Sequence, residues 1–158
     1  MTAITIYTDG AAKGNPGNGG YGAVLLSNQH RKELSAGFRK TTNNRMELLA
    51  VIVALEQLKQ KPSEVVVISD SKYVVDSVEK GWLFNWEKKG FAKKKNIDLW
   101  QRFLKIYRQH NVRFEWVKGH DGNEFNERCD YLAVKAAEGK NLQIDEGFEN
   151  PTTEGSLF

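Results

Sequence analysis

A chain of 158 residues, 40% hydrophobic and 27% charged, fits one soluble globular domain with a sizeable core. No stretch approaches the roughly 20 apolar residues of a membrane span, the N-terminus lacks a signal-peptide pattern, and the expected location is cytoplasmic. The single cysteine, Cys129, excludes an intramolecular disulfide and a cysteine-based zinc site; the net charge of +3 combines −4 over residues 141–158 with +7 over residues 1–140, which favours a polyanionic partner.

The first predicted strand covers residues 4–9, where Ile4, Ile6 and Thr8 alternate with Thr5, Tyr7 and Asp9. A carboxylate closing such a run either caps a turn or needs a counter-charge, a cation or a full set of hydrogen bonds. Residues 10–22 read as a long Gly- and Asn-rich turn. Within it, residues 17–22 match G-x-G-x-x-G, but that pattern must open a helix and here it opens a strand over 21–26, so a dinucleotide site is rejected. A third strand over 32–39 completes an antiparallel meander.

Thr42 or Asn43 caps a helix running to about residue 59, with Glu47 near its start. Glu47 reads either as an acid favoured by the helix dipole or as a charge set beside an apolar surface for a purpose. The apolar strand over 64–69 suits the centre of a sheet and a right-handed crossover. It ends in Asp70, which is either the cap of a helix over 73–80 or a ligand at the carboxyl end of a parallel strand. Residues 80–95 then set six lysines among Trp82, Phe84, Trp86 and Phe91, which is either a phosphate-tracking surface or a solvated loop over core aromatics.

A helix over 96–110 and a strand over 112–117 lead into a loop that holds His120 between two glycines, a placement with little structural cause. The last helix, 124–138, carries Asp130 beside its apolar side. Residues 1–140 are expected to form one domain, and residues 141–158 a flexible acidic tail. Four carboxylates without cysteine suit a hard cation such as Mg²⁺ or Mn²⁺. Clustered acids repel unless cations neutralise them, and two divalent ions about 4 Å apart serve phosphodiester hydrolysis.

Seven stretches, in order and at matching spacing, resemble bacterial type I ribonuclease H: Tyr7-Thr8-Asp9-Gly10, Gly14-Asn15-Pro16-Gly17, Gly19-Gly20-Tyr21-Gly22, Thr41-Thr42-Asn43-Asn44-Arg45-Met46-Glu47-Leu48, Ser69-Asp70-Ser71, Trp116-Val117-Lys118-Gly119-His120 and Asn126-Glu127-Arg128-Cys129-Asp130. The resemblance implies an α/β ribonuclease H-like fold, with a five-stranded mixed sheet of order 3-2-1-4-5 flanked by helices. It also implies an endoribonuclease that hydrolyses the RNA strand of RNA/DNA hybrids with two Mg²⁺ ions, Mn²⁺ as substitute, leaving 3′-hydroxyl and 5′-phosphate ends.

By the same resemblance Asp9, Glu47, Asp70 and Asp130 are catalytic metal ligands, Asp9 bridging both ions, and His120 assists proton transfer and product release. Asn15, Asn43 and Asn44 would read the minor groove, and Thr42 and Asn96 would hold a DNA-strand phosphate. Trp82, Trp86, Lys88 and Lys89 would belong to a basic protrusion. The chain departs from the pattern in a shortened protrusion, in Lys72 where Gln is expected, and in Asp121 beside the loop histidine. It is expected to be a monomer with no membrane contact. Ser156, Leu157 and Phe158 faintly resemble the peptide with which bacterial proteins dock on the replication sliding clamp.

Overall fold

The computed structural model describes residues 3–119 and 121–151. Three long strands come first: β1 (Ala3–Gly14), β2 (Gly17–Ser27) and β3 (His30–Thr41). They pair antiparallel in sequence order. The chain continues through α1 (Asn43–Glu56), β4 (Glu64–Ser69), α2 (Lys72–Glu79), α3 (Trp82–Lys88), α4 (Ile97–Tyr107), β5 (Asn111–Trp116) and α5 (Glu124–Glu138). Short elements β6 (Leu142–Gln143) and α6 (Glu146–Glu149) end the described chain. The sheet order is β5-β4-β1-β2-β3-β6, with β4 parallel to both β1 and β5.

The expected five-stranded order is therefore present, and β6 adds a sixth strand, parallel to β3 at its open edge. A two-residue strand has no periodicity to betray it, so sequence pattern alone misses it. The expectation of a flexible tail from residue 141 is likewise corrected over residues 142–150, which pack on the domain. Asp145 is buried and ion-paired to Arg45, and Glu149 pairs with Arg39.

The long turn expected over residues 10–22 is instead the paired ends of β1 and β2, in register from Asp9 opposite Gly22 to Gly14 opposite Gly17. Glycine serves close packing there. A Cβ on Gly10 would run into the backbone of Met46 and Glu47 in α1, and one on Gly22 into the carbonyl of Cys129 in α5. Neighbouring residues of a strand point to opposite faces, and directly paired residues to the same one. Helix α1 therefore covers one face of the sheet and α5 the other. The core lies mainly under α1, where Ile6, Val51, Ile52, Leu55, Val67, Trp100 and Phe103 are wholly buried. Because α1 is covered by sheet and α4 together, its apolar positions occupy more than one face of the helix.

Candidate functional site

The parallel pairing of β1 with β4 ends with Thr8 beside Ser69, so the next residues, Asp9 midway along β1 and Asp70 just past the end of β4, follow where that pairing stops. Helix α1 lies on the Gly10 backbone and brings Glu47 to the same place. One carboxylate oxygen from each of Asp9, Glu47 and Asp70 lies within 4.8 Å of the other two. Three acids drawn from β1, α1 and the end of β4 thus converge as the sequence led one to expect. Asp130 approaches Asp9 from α5 and adds to the rise of the Asp9 pKa, and it stands outside the tight trio.

Burial dominates the electrostatics of this cluster. It removes water from Asp9, the charge of Asp70 adds to the effect, and the Asp9 pKa rises from 3.8 to about 8 despite a 2.9 Å hydrogen bond from the Gly10 amide. Glu47 is pushed well above the usual carboxylate range, first by burial and then by Asp9 and Asp70. Its Oε1 has a long 3.5 Å contact from Asn43. Its Oε2 is buried with no hydrogen-bond partner among the described residues. An orphaned carboxylate oxygen facing two more acids is the donor set a hard divalent cation satisfies.

The residues expected to bind substrate separate into two groups. Asn15, Thr42, Asn44 and Asn96 line one cleft of about 520 Å³ together with Lys94 and Lys95. Thr42 also caps α1, accepting from the Arg45 amide at 3.2 Å, and the Asn15 side chain accepts from the Asn43 amide at 3.3 Å. Asn96 adopts a left-handed backbone with φ 62° and donates to the Tyr73 hydroxyl at 3.0 Å. The second group, Trp82, Trp86, Lys88 and Lys89, lies on α3 and the residue after it, outside that cleft. Trp82 is exposed beneath the Lys80 ammonium, whereas Trp86 packs edge-on against buried Trp100 at 5.9 Å. Trp86 thus belongs to the core as much as to any surface. His120 lies outside the described residues.

Sequence reasoning passed over Arg45, Asp98 and Asp145. Arg45 is buried, with its guanidinium held by Asp145 at 2.7 and 2.9 Å and by Asp98 at 2.9 and 2.7 Å. An arginine inside an apolar helix was the available signal, because such a charge must find partners. A separate hollow of about 480 Å³ opens at the other ends of the parallel strands, among Ala3, Glu64 and Asn111, far from the acids along the strands.

Fold and acid cluster together define an α/β protein whose acids gather where the parallel pairing of β1 and β4 ends, in an arrangement compatible with a divalent cation. The family model described as RNase H matches residues 1–138. Ribonuclease H of Desulforamulus reducens is 59% identical over 150 residues, covering 92% of this chain and 94% of that protein. Ribonuclease HI of Synechocystis is 50% identical over 152 residues, covering 92% and 94% respectively. Among solved structures, LC9-RNase H1, a type 1 RNase H with the type 2 active-site motif, superposes with a TM-score of 0.79 at 31% identity over 88% of this chain and 74% of that one. LC11-RNase H1, solved in complex with an RNA/DNA hybrid, gives a TM-score of 0.64 at 33% identity over 85% and 96%. The chain belongs to the ribonuclease H family.

Proposed function

We propose that this protein is an endoribonuclease that hydrolyses the RNA strand of RNA/DNA hybrids, leaving 3′-hydroxyl and 5′-phosphate ends. One observation carries the reading: buried Asp9 and Glu47 and half-buried Asp70 meet within 4.8 Å, with one Glu47 oxygen left unpartnered among the described residues. A hybrid bound to the related LC11-RNase H1 supports the choice of substrate.

Two Mg²⁺ ions, replaceable by Mn²⁺, would activate a water and stabilise the leaving oxygen when bound. Asp9 would hold both, Asp130 the one at the water, and Glu47 and Asp70 the one at the leaving side. Burial of Asp9 and Glu47 keeps bulk water from screening these contacts. His120 would position a proton and assist product release. Asn15, Asn43 and Asn44 would read the minor groove, where the 2′-hydroxyl distinguishes RNA. Thr42 and Asn96 would hold a DNA-strand phosphate, and Lys88 and Lys89, with Trp82 and the flank of Trp86, would track the backbone beyond it.

We further read the protein as a cytoplasmic monomer whose last residues, Ser156, Leu157 and Phe158, contact the sliding clamp; these three lie outside the described residues. Among the described residues no helix is long and apolar enough to cross a membrane. The decisive test is cleavage of an RNA/DNA hybrid beside RNA/RNA and DNA/DNA controls with Mg²⁺ or Mn²⁺. Wild type should cut the hybrid alone, and Asp70→Asn should bind it without cutting. Equal cutting of DNA/DNA, or an active Asp70→Asn, would refute the reading.

A further inference from the structure

Residues 145–151 follow the last residue of the family match, at 138, and yet they build part of the substrate cleft. Gly147, Phe148 and Pro151 line it together with Thr42, Lys94 and Lys95. The wall is braced from within. Asp145 accepts from the Thr41 hydroxyl at 2.7 Å as well as from Arg45, and a second tie joins Arg39 to Glu149 at 2.9 and 2.8 Å. Arg45 also donates to the Asn96 side chain at 3.4 Å, so the wall and Asn96 share one anchor.

Gly147 rests directly on that anchor. A Cβ there would run into Asp98 Oδ2 and lie 2.7 Å from Arg45 Nη2, so only glycine lets the wall sit this close.

We propose that this C-terminal segment forms an apolar wall for the DNA strand of the hybrid, with Phe148 and Pro151 facing the deoxyribose beside the phosphate assigned to Thr42 and Asn96. Asp145 is a positioning residue that holds the wall through Arg45. The inference rests on the hybrid-nuclease reading. The occupant follows from the lining of the cleft. Its lysines and amides suit a phosphate, and its aromatic ring and proline suit a sugar without a hydroxyl. A ribose in that place would press its 2′-hydroxyl on a surface with no hydrogen-bond partner, at a cost in binding. The wall therefore selects DNA for the strand that is not cut.

The test measures binding on a common Asp70→Asn background, with a labelled RNA/DNA hybrid and an RNA/RNA duplex of the same sequence. Phe148→Ala should weaken hybrid binding about fivefold and RNA/RNA binding far less, narrowing the discrimination. Phe148→Leu should restore most of it, and Gly147→Ala should weaken hybrid binding in the same direction. The salt slope should stay unchanged in Phe148→Ala and flatten in Lys95→Ala, because only the lysine releases counterions. Hybrid binding within twofold of the parent in Phe148→Ala, or equal losses for both duplexes, would overturn the proposal. A parent protein that binds the hybrid while the uncut-background wild type fails to cleave it would overturn the nuclease reading alone, since the binding ratio still decides the wall.

Discussion

Glu47 shows how a single side chain can stand against the stability of the fold that holds it. It is buried, one of its oxygens is orphaned, and its nearest charges are Asp9 and Asp70. In the metal-free protein the folded state keeps Asp9 and Glu47 protonated at pH values where the unfolded chain has ionised them. Stability from these groups is thus full below about pH 4 and is lost as pH rises toward the folded Asp9 value of about 8. Thermal unfolding in EDTA should show Tm falling over that window, and millimolar Mg²⁺ should restore it at pH 8. Glu47→Gln should raise Tm in EDTA at pH 8 while removing most of the gain from Mg²⁺. A flat Tm profile in EDTA would contradict this account of the cluster.

Among the elements, α1 has two duties joined by Arg45. Its outer start presents Thr42 and Asn44 to the cleft, and one turn inward it offers Glu47 to the acids. Arg45 lies between them and ties the helix to α4 through Asp98 and to the C-terminal segment through Asp145. Burial works to raise the Asp98 pKa, but the hydrogen bonds and charge of Arg45 overcome it and hold Asp98 below the usual range. The stability this pair supplies is present above pH 3.8 and is lost as pH falls through the depressed value. Arg45→Leu leaves two acids facing an apolar side chain and should cost about 3–5 kcal/mol in urea unfolding at pH 7. A loss of under about 1 kcal/mol would mean the network is dispensable.

At the scale of the molecule, charge is divided as the chemistry requires. Acids are drawn to one point where the pairing of β1 and β4 ends, and the lysines that follow α3 stay at the surface. The negative charge of residues 141–158 is partly spent inside the fold, because Asp145 and Glu149 neutralise Arg45 and Arg39. Deleting residues 154–158 should abolish binding to the sliding clamp in surface plasmon resonance while hybrid cleavage stays at the wild-type rate. Undiminished clamp binding would dismiss the peptide.

Legibility differed with the length and regularity of each feature. The five main strands, the long helices and the four acids could be read because alternation and helical spacing leave periodic traces, and because a carboxylate at an apolar position stands out. Trp86 could not be assigned to core or surface from its neighbours, since the ring that meets it, Trp100, comes from another helix. The Gly-rich hairpin read as a turn because glycine marks both turns and close packing, and only the backbones of α1 and α5 distinguish the two.

The linear order of residues determined the class of this protein: alternating and helical patterns specified its elements, and the placement of Asp9, Glu47, Asp70 and Asp130 specified its chemistry. Tertiary structure alone decided that three of those acids come within 4.8 Å of one another and that the fourth approaches Asp9. It also decided that Asp145, remote in the chain, becomes the inward partner of Arg45 and turns an apparent tail into a wall. The reason is physical: local patterns record which face of an element is apolar, whereas a charge buried by folding is compensated by groups brought from far along the chain.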